Sequence, residues 1–292
     1  MRDLTTTGVW THTETMSGAD AVALAQRIEA LGYSTLWLPE TAGKDPFALI
    51  GMLAANTSEL RFATGIANIF HRHPGVMKQA AMTLAEQSGG RFILGIGVSH
   101  GPMVAGLRGL DYSKPLASMS SYLDGYDASP YMALPPAEQP KRVLAALGPK
   151  MLELARDKAD GAHPYWTTPD HTELARKILG PAKLLLVEQK IVGTTDRDKA
   201  HAAAIGAVNM YRTLPNYRNN WLRLGFTDEE IDANAPRFLD GVVAWGTTDQ
   251  IRVRVAEHLD AGADQVCVQP LDPDNRMGFV DWDVLEALRP TS

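Results

Sequence analysis

The polar residues that directly follow short apolar runs are where this sequence could do chemistry. His100 comes just after the apolar run 91–98, and an imidazole there titrates near neutrality, which suits proton transfer. Comparable positions hold Thr11-His12, Glu40-Thr41, Asn68, His71-Arg72-His73, Ser99, Gly148-Pro149-Lys150, His163-Pro164-Tyr165-Trp166 and Glu188-Gln189. His71-Arg72-His73 has two metal-binding side chains, but no acidic residues cluster beside it and its spacing matches no zinc motif, so a basic loop is the ordinary reading and no metal is expected. Gly95-Ile96-Gly97-Val98-Ser99-His100-Gly101 looks superficially like a dinucleotide fingerprint, yet its third glycine comes one place late and no helix is expected to open there. Gly148-Pro149-Lys150 joins a strand to a helix whose first free N–H groups would favour a phosphate; a plain tight turn is the other reading. Trp37, Trp166 and Trp245 read as core.

Such residues need a frame, and the chain repeats one unit: a helix-period segment, a Gly-containing turn, then a β-branched or aromatic run. Leu24, Ile28 and Leu31 fall at helical spacing, Gly32 follows as a cap, and 35–38 is a strand. Asp45-Pro46 opens the next helix, which ends near Asn56, and 61–69 is a strand. Pro74 starts a helix closed by Gly89-Gly90, and 91–98 is an apolar strand of the kind buried on both faces in parallel sheets. Further strands fall at 143–147, around Ala162, at 184–192 and at 265–268, with helices over 150–160 and 171–179 and one carrying Ile251, Val255 and Leu259 on a face. With Gly8-Val9-Trp10 this makes eight strands, which predicts a (β/α)8 TIM barrel forming one domain, 1–292. The connections 99–140 and 193–246, after strands 4 and 7, exceed ordinary loop length and read as functional insertions, the first mainly loop and the second largely helical. Active sites of such barrels lie at the strand ends, where the residues above fall.

The 292 residues are 45% hydrophobic and 21% charged, ordinary usage for a large globular domain. A formal net charge of -6 argues against nucleic acid or an anionic membrane as a partner. An anionic ligand must then find local charge, for which Lys44, His71, Arg72, His73 and Lys150 are candidates. Cys267 is the lone cysteine, so no internal disulfide forms and a cysteine-based zinc site is implausible. No apolar run approaches the roughly 20 residues of a spanning helix, and no signal-peptide core follows Met1, so the cytoplasm is the expected compartment.

The combination of Ala30-Leu31-Gly32-Tyr33-Ser34-Thr35-Leu36-Trp37, Ala63-Thr64-Gly65-Ile66-Ala67-Asn68, Arg91-Phe92-Ile93-Leu94-Gly95-Ile96-Gly97-Val98 and Gly148-Pro149-Lys150-Met151 resembles the luciferase-like monooxygenase superfamily. It is most similar to the branch that uses the deazaflavin coenzyme F420. The resemblance implies a luciferase-like barrel with the cofactor ring across the strand mouths, a cis peptide bond at Gly65-Ile66 whose bulge supports the ring, and Asn68 near it. Glu40 and Thr41 stand where related dehydrogenases often carry an acidic residue followed by a catalytic histidine. Thr41 departs from that pattern, which puts a mechanism resting on that histidine in question. His100 stands where such relatives place a glutamate proton donor, so the proton-handling group is read as exchanged. Gly148, Pro149 and Lys150 match the turn near the cofactor phosphate. The implied cofactor set is Glu40, Thr41, Gly65, Ile66, Asn68, Ser99, Gly148, Pro149 and Lys150, with His100 as the catalytic residue and Trp37, Ile66 and Phe70 as ring walls. Homodimers are usual in the family.

The expected function is therefore an oxidoreductase that transfers a hydride between coenzyme F420 and a small organic substrate. Two alternatives share the barrel: an FMN-dependent monooxygenase and a non-catalytic cofactor-binding protein.

Overall fold

The structure, a computed structural model, describes residues 4–274, 276 and 279–290. Its strands are β1 (Thr7–Trp10), β2 (Thr35–Leu38), β3 (Arg61–Thr64), β4 (Ala67–Asn68), β5 (Phe92–Gly97), β6 (Lys141–Leu144), β7 (Gly161–Ala162), β8 (Leu184–Val192), β9 (Val243–Trp245) and β10 (Gln265–Pro270). They pair in parallel in the order β10-β1-β2-β3-β5-β6-β7-β8, and β8 pairs back onto β10 from Gln265↔Leu186 to Pro270↔Ile191, so eight strands close a (β/α)8 barrel. β4 pairs with β5 beyond the end of β3, and β9 extends the outer half of β8.

The local chemistry explains the punctuation. Ser17 and Asp20 form a reciprocal cap on the helix Gly18–Ala30, and the Asp45 carboxylate accepts the Phe47 and Ala48 N–H groups at the start of the helix Pro46–Ala55. Gly32 after the first helix has φ +88, a conformation that costs residues with a Cβ. Inside the barrel Trp10, Trp37, Ala63, Ile93, Val143, Leu186 and Cys267 form one apolar layer. A larger cluster lies between the strands and the helices around them. A third, containing Trp166, Trp221 and Phe238, is built largely by the second insertion.

Four expectations need correction. The strand expected over 61–69 is interrupted at Gly65-Ile66, whose peptide bond is cis as the resemblance implies. The strand expected over 143–147 occupies Lys141–Leu144, because pairing with β5 runs from Ile93↔Lys141 to Ile96↔Leu144. The first insertion is not mainly loop: it holds a π-helical turn, Pro102–Leu107, and the helix Pro115–Ala128. That helix buries Met119, Tyr122, Leu123 and Tyr126 at helical spacing, a stripe hidden in the sequence among Ser, Gly and Asp. A short helical turn also opens just after Gly101, although its π geometry and the glycine spacing remain unlike a dinucleotide fingerprint.

Candidate active site

The strand ends gather the sequence-predicted residues at one mouth. After β2, the Glu40 carboxylate accepts the Asn68 N–H at 2.7 Å and faces His71 Nδ1 at 3.2 Å and Arg72 Nη1 at 2.6 Å. Arg72 also pairs with Asp45. Asn68 is spent within its own loop: its amide meets His71 Nε2 at 3.0 Å and its carbonyl accepts the Phe70 N–H at 3.0 Å. Glu40 and Asn68 thus brace the bulge between β3 and β4. Gly65 and Ile66, which form that bulge, are partly exposed while Thr64 and Ala67 on either side are buried. A side chain on Gly65 would collide with the Trp10 indole, and one on Gly97 would come within 2.8 Å of the Ile66 side chain. Ile66 therefore lies over β5, and the bulge forms a half-open shelf.

Thr41 is engaged differently. Its hydroxyl donates to Glu14 Oε1 at 2.8 Å, and Glu14 Oε2 stands 3.3 Å from His12 Nδ1. Burial favours the neutral acid, but the hydrogen bonds from His12 and Thr41 outweigh it and hold the Glu14 carboxyl down at about 2.

At the end of β5, Ser99 adopts φ +56, and the Tyr112 hydroxyl donates to its carbonyl at 2.8 Å. His100 follows, with ring centroids 5.5 Å from Tyr217 and 6.1 Å from Tyr211. Burial pushes its pKa down to about 4, so the imidazole is neutral at pH 7, and its buried Nδ1 has no hydrogen-bond partner. Trp37 was a candidate ring wall, but it is fully buried and stacked on His163 at 3.9 Å, below the mouth. Ile66 and Phe70 keep partly open faces.

Gly148 caps the helix Pro149–Lys158 without any side-chain cap, leaving early N–H groups unfilled by a side chain, and Lys150 is exposed beside them. Arg223 of the second insertion reaches to within 3.9 Å of where a Gly148 side chain would begin, so it adds a cation that the sequence reading did not single out.

The structure pairs Glu188, one of the strand-end candidates, with Lys190, which the sequence did not single out. Lys190 and Glu188 form a buried ion pair at 3.0 Å, with side-chain exposures of 2% and 0%. The Lys190 ammonium lies 3.5 Å from the Tyr165 ring centroid and 3.9 Å from that of Trp166. Glu188 Oε2 accepts the N–H of Trp166, which has φ +58. Burial moves both charges towards neutrality, Lys190 to about 8, while their pairing opposes it. Strand alternation was the available signal, since Leu186, Glu188 and Lys190 share the inward parity of β8.

A closed parallel barrel with its titratable side chains drawn together at the strand ends is built as a barrel enzyme. Residues 1–179 match the profile of the luciferase-like monooxygenases, and the chain belongs to that family. A Mycobacterium tuberculosis protein whose name provisionally assigns it to the coenzyme F420-dependent oxidoreductases is 30% identical over 192 residues, 56% of this chain and 54% of the relative, so that match spans about half the relative's length. The 5,10-methylenetetrahydromethanopterin reductase of Methanolobus tindarius is 24% identical over 295 residues, 86% of this chain and 90% of that one. The solved coenzyme F420-dependent tetrahydromethanopterin reductase of Methanopyrus kandleri superposes with a TM-score of 0.72 at 16% identity, over 98% of this chain and 97% of that one, a likeness of fold. No helix among the described residues is long and apolar enough to cross a membrane, and none of their His, Cys, Asp and Glu side chains cluster as a metal site.

Proposed function

We propose that the protein is a coenzyme F420-dependent oxidoreductase that moves a hydride between that cofactor and a small organic molecule. The observation that carries the reading is the half-open Gly65-Ile66 shelf together with two buried, unpartnered nitrogens, Trp10 Nε1 against Gly65 and His100 Nδ1 after the end of β5. Buried polar atoms without partners are costly, and a flat ring with polar edges would satisfy them. Relatives named for coenzyme F420 support the choice of ring. Bound there, the deazaflavin would supply a carrier for one hydride.

The residues divide the work of holding it. Gly65, Ile66 and Phe70 present the apolar support, braced by Glu40 and Asn68. Ser99 fixes the direction in which His100 enters the mouth. The Lys150 N–H at the start of the helix, with the Lys150 ammonium and Arg223, suits the phosphate of the cofactor tail. Thr41 acts through Glu14. His100 offers the substrate a neutral imidazole. The resemblance also implies homodimers; Leu107, Leu110, Met132 and Leu134, exposed on the first insertion, are apolar side chains that a second copy would cover, and sedimentation tests this.

The family's description as monooxygenases favours a second reading, with reduced FMN and oxygen in the same mouth. Equilibrium binding of each cofactor to the purified protein separates the two. Coenzyme F420 is expected to bind and FMN to bind weakly; the reverse order overturns the proposal. A panel of small alcohols, ketones and cyclic enones, followed by deazaflavin absorbance, then tests turnover. A protein that binds coenzyme F420 but never changes its redox state is the non-catalytic alternative.

A further inference from the structure

Thr41, at the turn after β2, is joined through Glu14 to an imidazole from the loop after the neighbouring strand β1. Trp10 ends β1 with its indole in the barrel interior, and His12, two residues on, keeps the same inward parity. The two rings meet edge to face at 4.9 Å, and the Trp10 indole in turn crowds Gly65 and lies 5.3 Å from the Tyr165 ring. His12 therefore stands one ring away from the shelf, with the Trp10 indole between them.

Its carboxylate partner is built in. Glu14 takes His12 Nδ1 at 3.3 Å on one oxygen and the Thr41 hydroxyl at 2.8 Å on the other. Thr41 also accepts the Gly43 N–H at 3.3 Å, and a side chain on Gly43 would run into the Glu14 methylene, so the loop after β2 closes on the carboxylate from two sides. An imidazole held by a carboxylate through Nδ1 presents Nε2 outward and is stabilised when it gains a proton. His100 has no such support: it is enclosed by Tyr211 and Tyr217, and its Nδ1 is unpartnered. His12, by contrast, keeps 42% of its side chain exposed, open to a ligand and to solvent from which a proton can be replaced.

We propose that His12, oriented by Glu14 and Thr41, is the acid-base residue of this site, and that His100 remains a neutral hydrogen-bonding group. The proposal rests on the oxidoreductase reading above. In the oxidising direction His12 Nε2 takes the proton from the substrate heteroatom and passes it to solvent, while a bound deazaflavin would supply the acceptor for the hydride, and so for the two electrons, that leave the substrate carbon. The reducing direction runs the same transfers backwards. Thr41 is a positioning residue, since it acts through Glu14.

Three measurements test this. In the apoprotein, ¹⁵N NMR of the neutral His12 ring should place its proton on Nδ1, facing Glu14, with a move towards the other tautomer in Glu14→Gln and a smaller one in Thr41→Val, and with Thr41→Ser restoring the wild-type signal. Diethyl pyrocarbonate should modify His12 readily, and bound coenzyme F420 should protect it. On a substrate found in the panel, His12→Gln should lower turnover by about 10² to 10⁴ with cofactor affinity retained, a larger loss than His100→Ala causes. An unchanged His12 tautomer in Glu14→Gln, modification that proceeds equally with and without cofactor, or full turnover in His12→Gln each overturns the proposal. Failure of the wild-type protein to bind coenzyme F420 overturns the oxidoreductase reading instead, and the apoprotein tautomer still decides whether the dyad exists.

Discussion

Lys150 differs from the other cations that a cofactor phosphate could have used. Lys44 donates to the Met16 carbonyl, His71 and Arg72 face Glu40, and His73 accepts the Gly75 N–H to cap the helix Pro74–Gln87. Lys150 is exposed and makes no ion pair among the described residues, beside backbone donors that no side chain caps. Lys150→Ala should therefore weaken coenzyme F420 binding about three- to tenfold at low salt, the reach of one added charge at a helix start. The loss should shrink as salt rises, because exposed charges are screened, and the melting temperature should not move. Equal affinity in low salt removes Lys150 from the site. His100→Ala belongs to the same scale: it deletes one hydrogen-bonding group, so turnover should fall about tenfold, and a loss of a thousandfold or more would return the proton to His100. Sequence alone indicated which residues end strands, and so His12, His100 and Lys150, because strand ends follow from hydropathy. It could not indicate that Glu14 joins His12 to Thr41, since that contact spans two loops whose backbone paths no local pattern dictates.

At the scale of elements, the loop after β7 is held by charge. Glu188 accepts the Trp166 N–H, Lys190 lies under the Tyr165 and Trp166 rings, the Trp221 indole donates to the Trp166 carbonyl at 2.9 Å, and the Tyr165 hydroxyl donates to Gln269 at 3.0 Å. β8, β10 and the second insertion thereby hold a segment whose Trp166 backbone is in a left-handed conformation that few side chains favour. Lys190→Met should destabilise the protein by about 3 to 5 kcal/mol in urea unfolding, because it leaves the Glu188 carboxylate buried without its counter-charge. The double variant Lys190→Met with Glu188→Gln should recover much of that loss, since no uncompensated charge remains. A single variant as stable as wild type would mean that solvent reaches the pair. β5 was legible as an uninterrupted apolar run, and β8 by the apolar residues 184–187 and 191–192 on either side of its polar centre. The helix Pro115–Ala128 was not, because its buried stripe is thin and Ser, Gly and Asp between its members resemble a loop. The break between β3 and β4 was likewise hidden, since Gly65 within an apolar run reads equally as strand or bulge.

Over the whole molecule, the barrel encloses imidazoles that it keeps uncharged. His163 Nδ1 donates to the Leu186 carbonyl at 2.7 Å, and His171 Nε2 donates to the Leu147 carbonyl at 2.9 Å. His258 bridges Thr172 at 2.7 Å and Gln189 at 2.9 Å, tying the helices Pro169–Leu179 and Thr248–Asp260 to β8. Burial is the main cause that lowers each from 6.5, His163 and His171 to about 4 and His258 to about 3, and His100 at the mouth behaves alike at about 4. Lowered histidine values mean that the unfolded chain binds protons first as the solution is acidified. The stability these groups contribute is thus complete above pH 6.5 and is lost as pH falls from there towards about 4. Each contributes a slope of up to about 1.4 kcal/mol per pH unit within that window. Glu14, held at about 2 from an ordinary 4.5, shifts in the same direction and adds its own loss only below pH 4.5. The melting temperature should therefore stay nearly level from about pH 8 to about pH 7 and drop steeply between about pH 6.5 and about pH 5, before the carboxylates begin to titrate. His258→Gln removes one proton from the balance; it should lower stability at neutral pH, where two buried hydrogen bonds are disturbed, yet flatten the acid slope by about a quarter. A melting temperature level down to about pH 5 would show that these histidines are hydrated in solution, and that the barrel's interior is wetter than its packing implies.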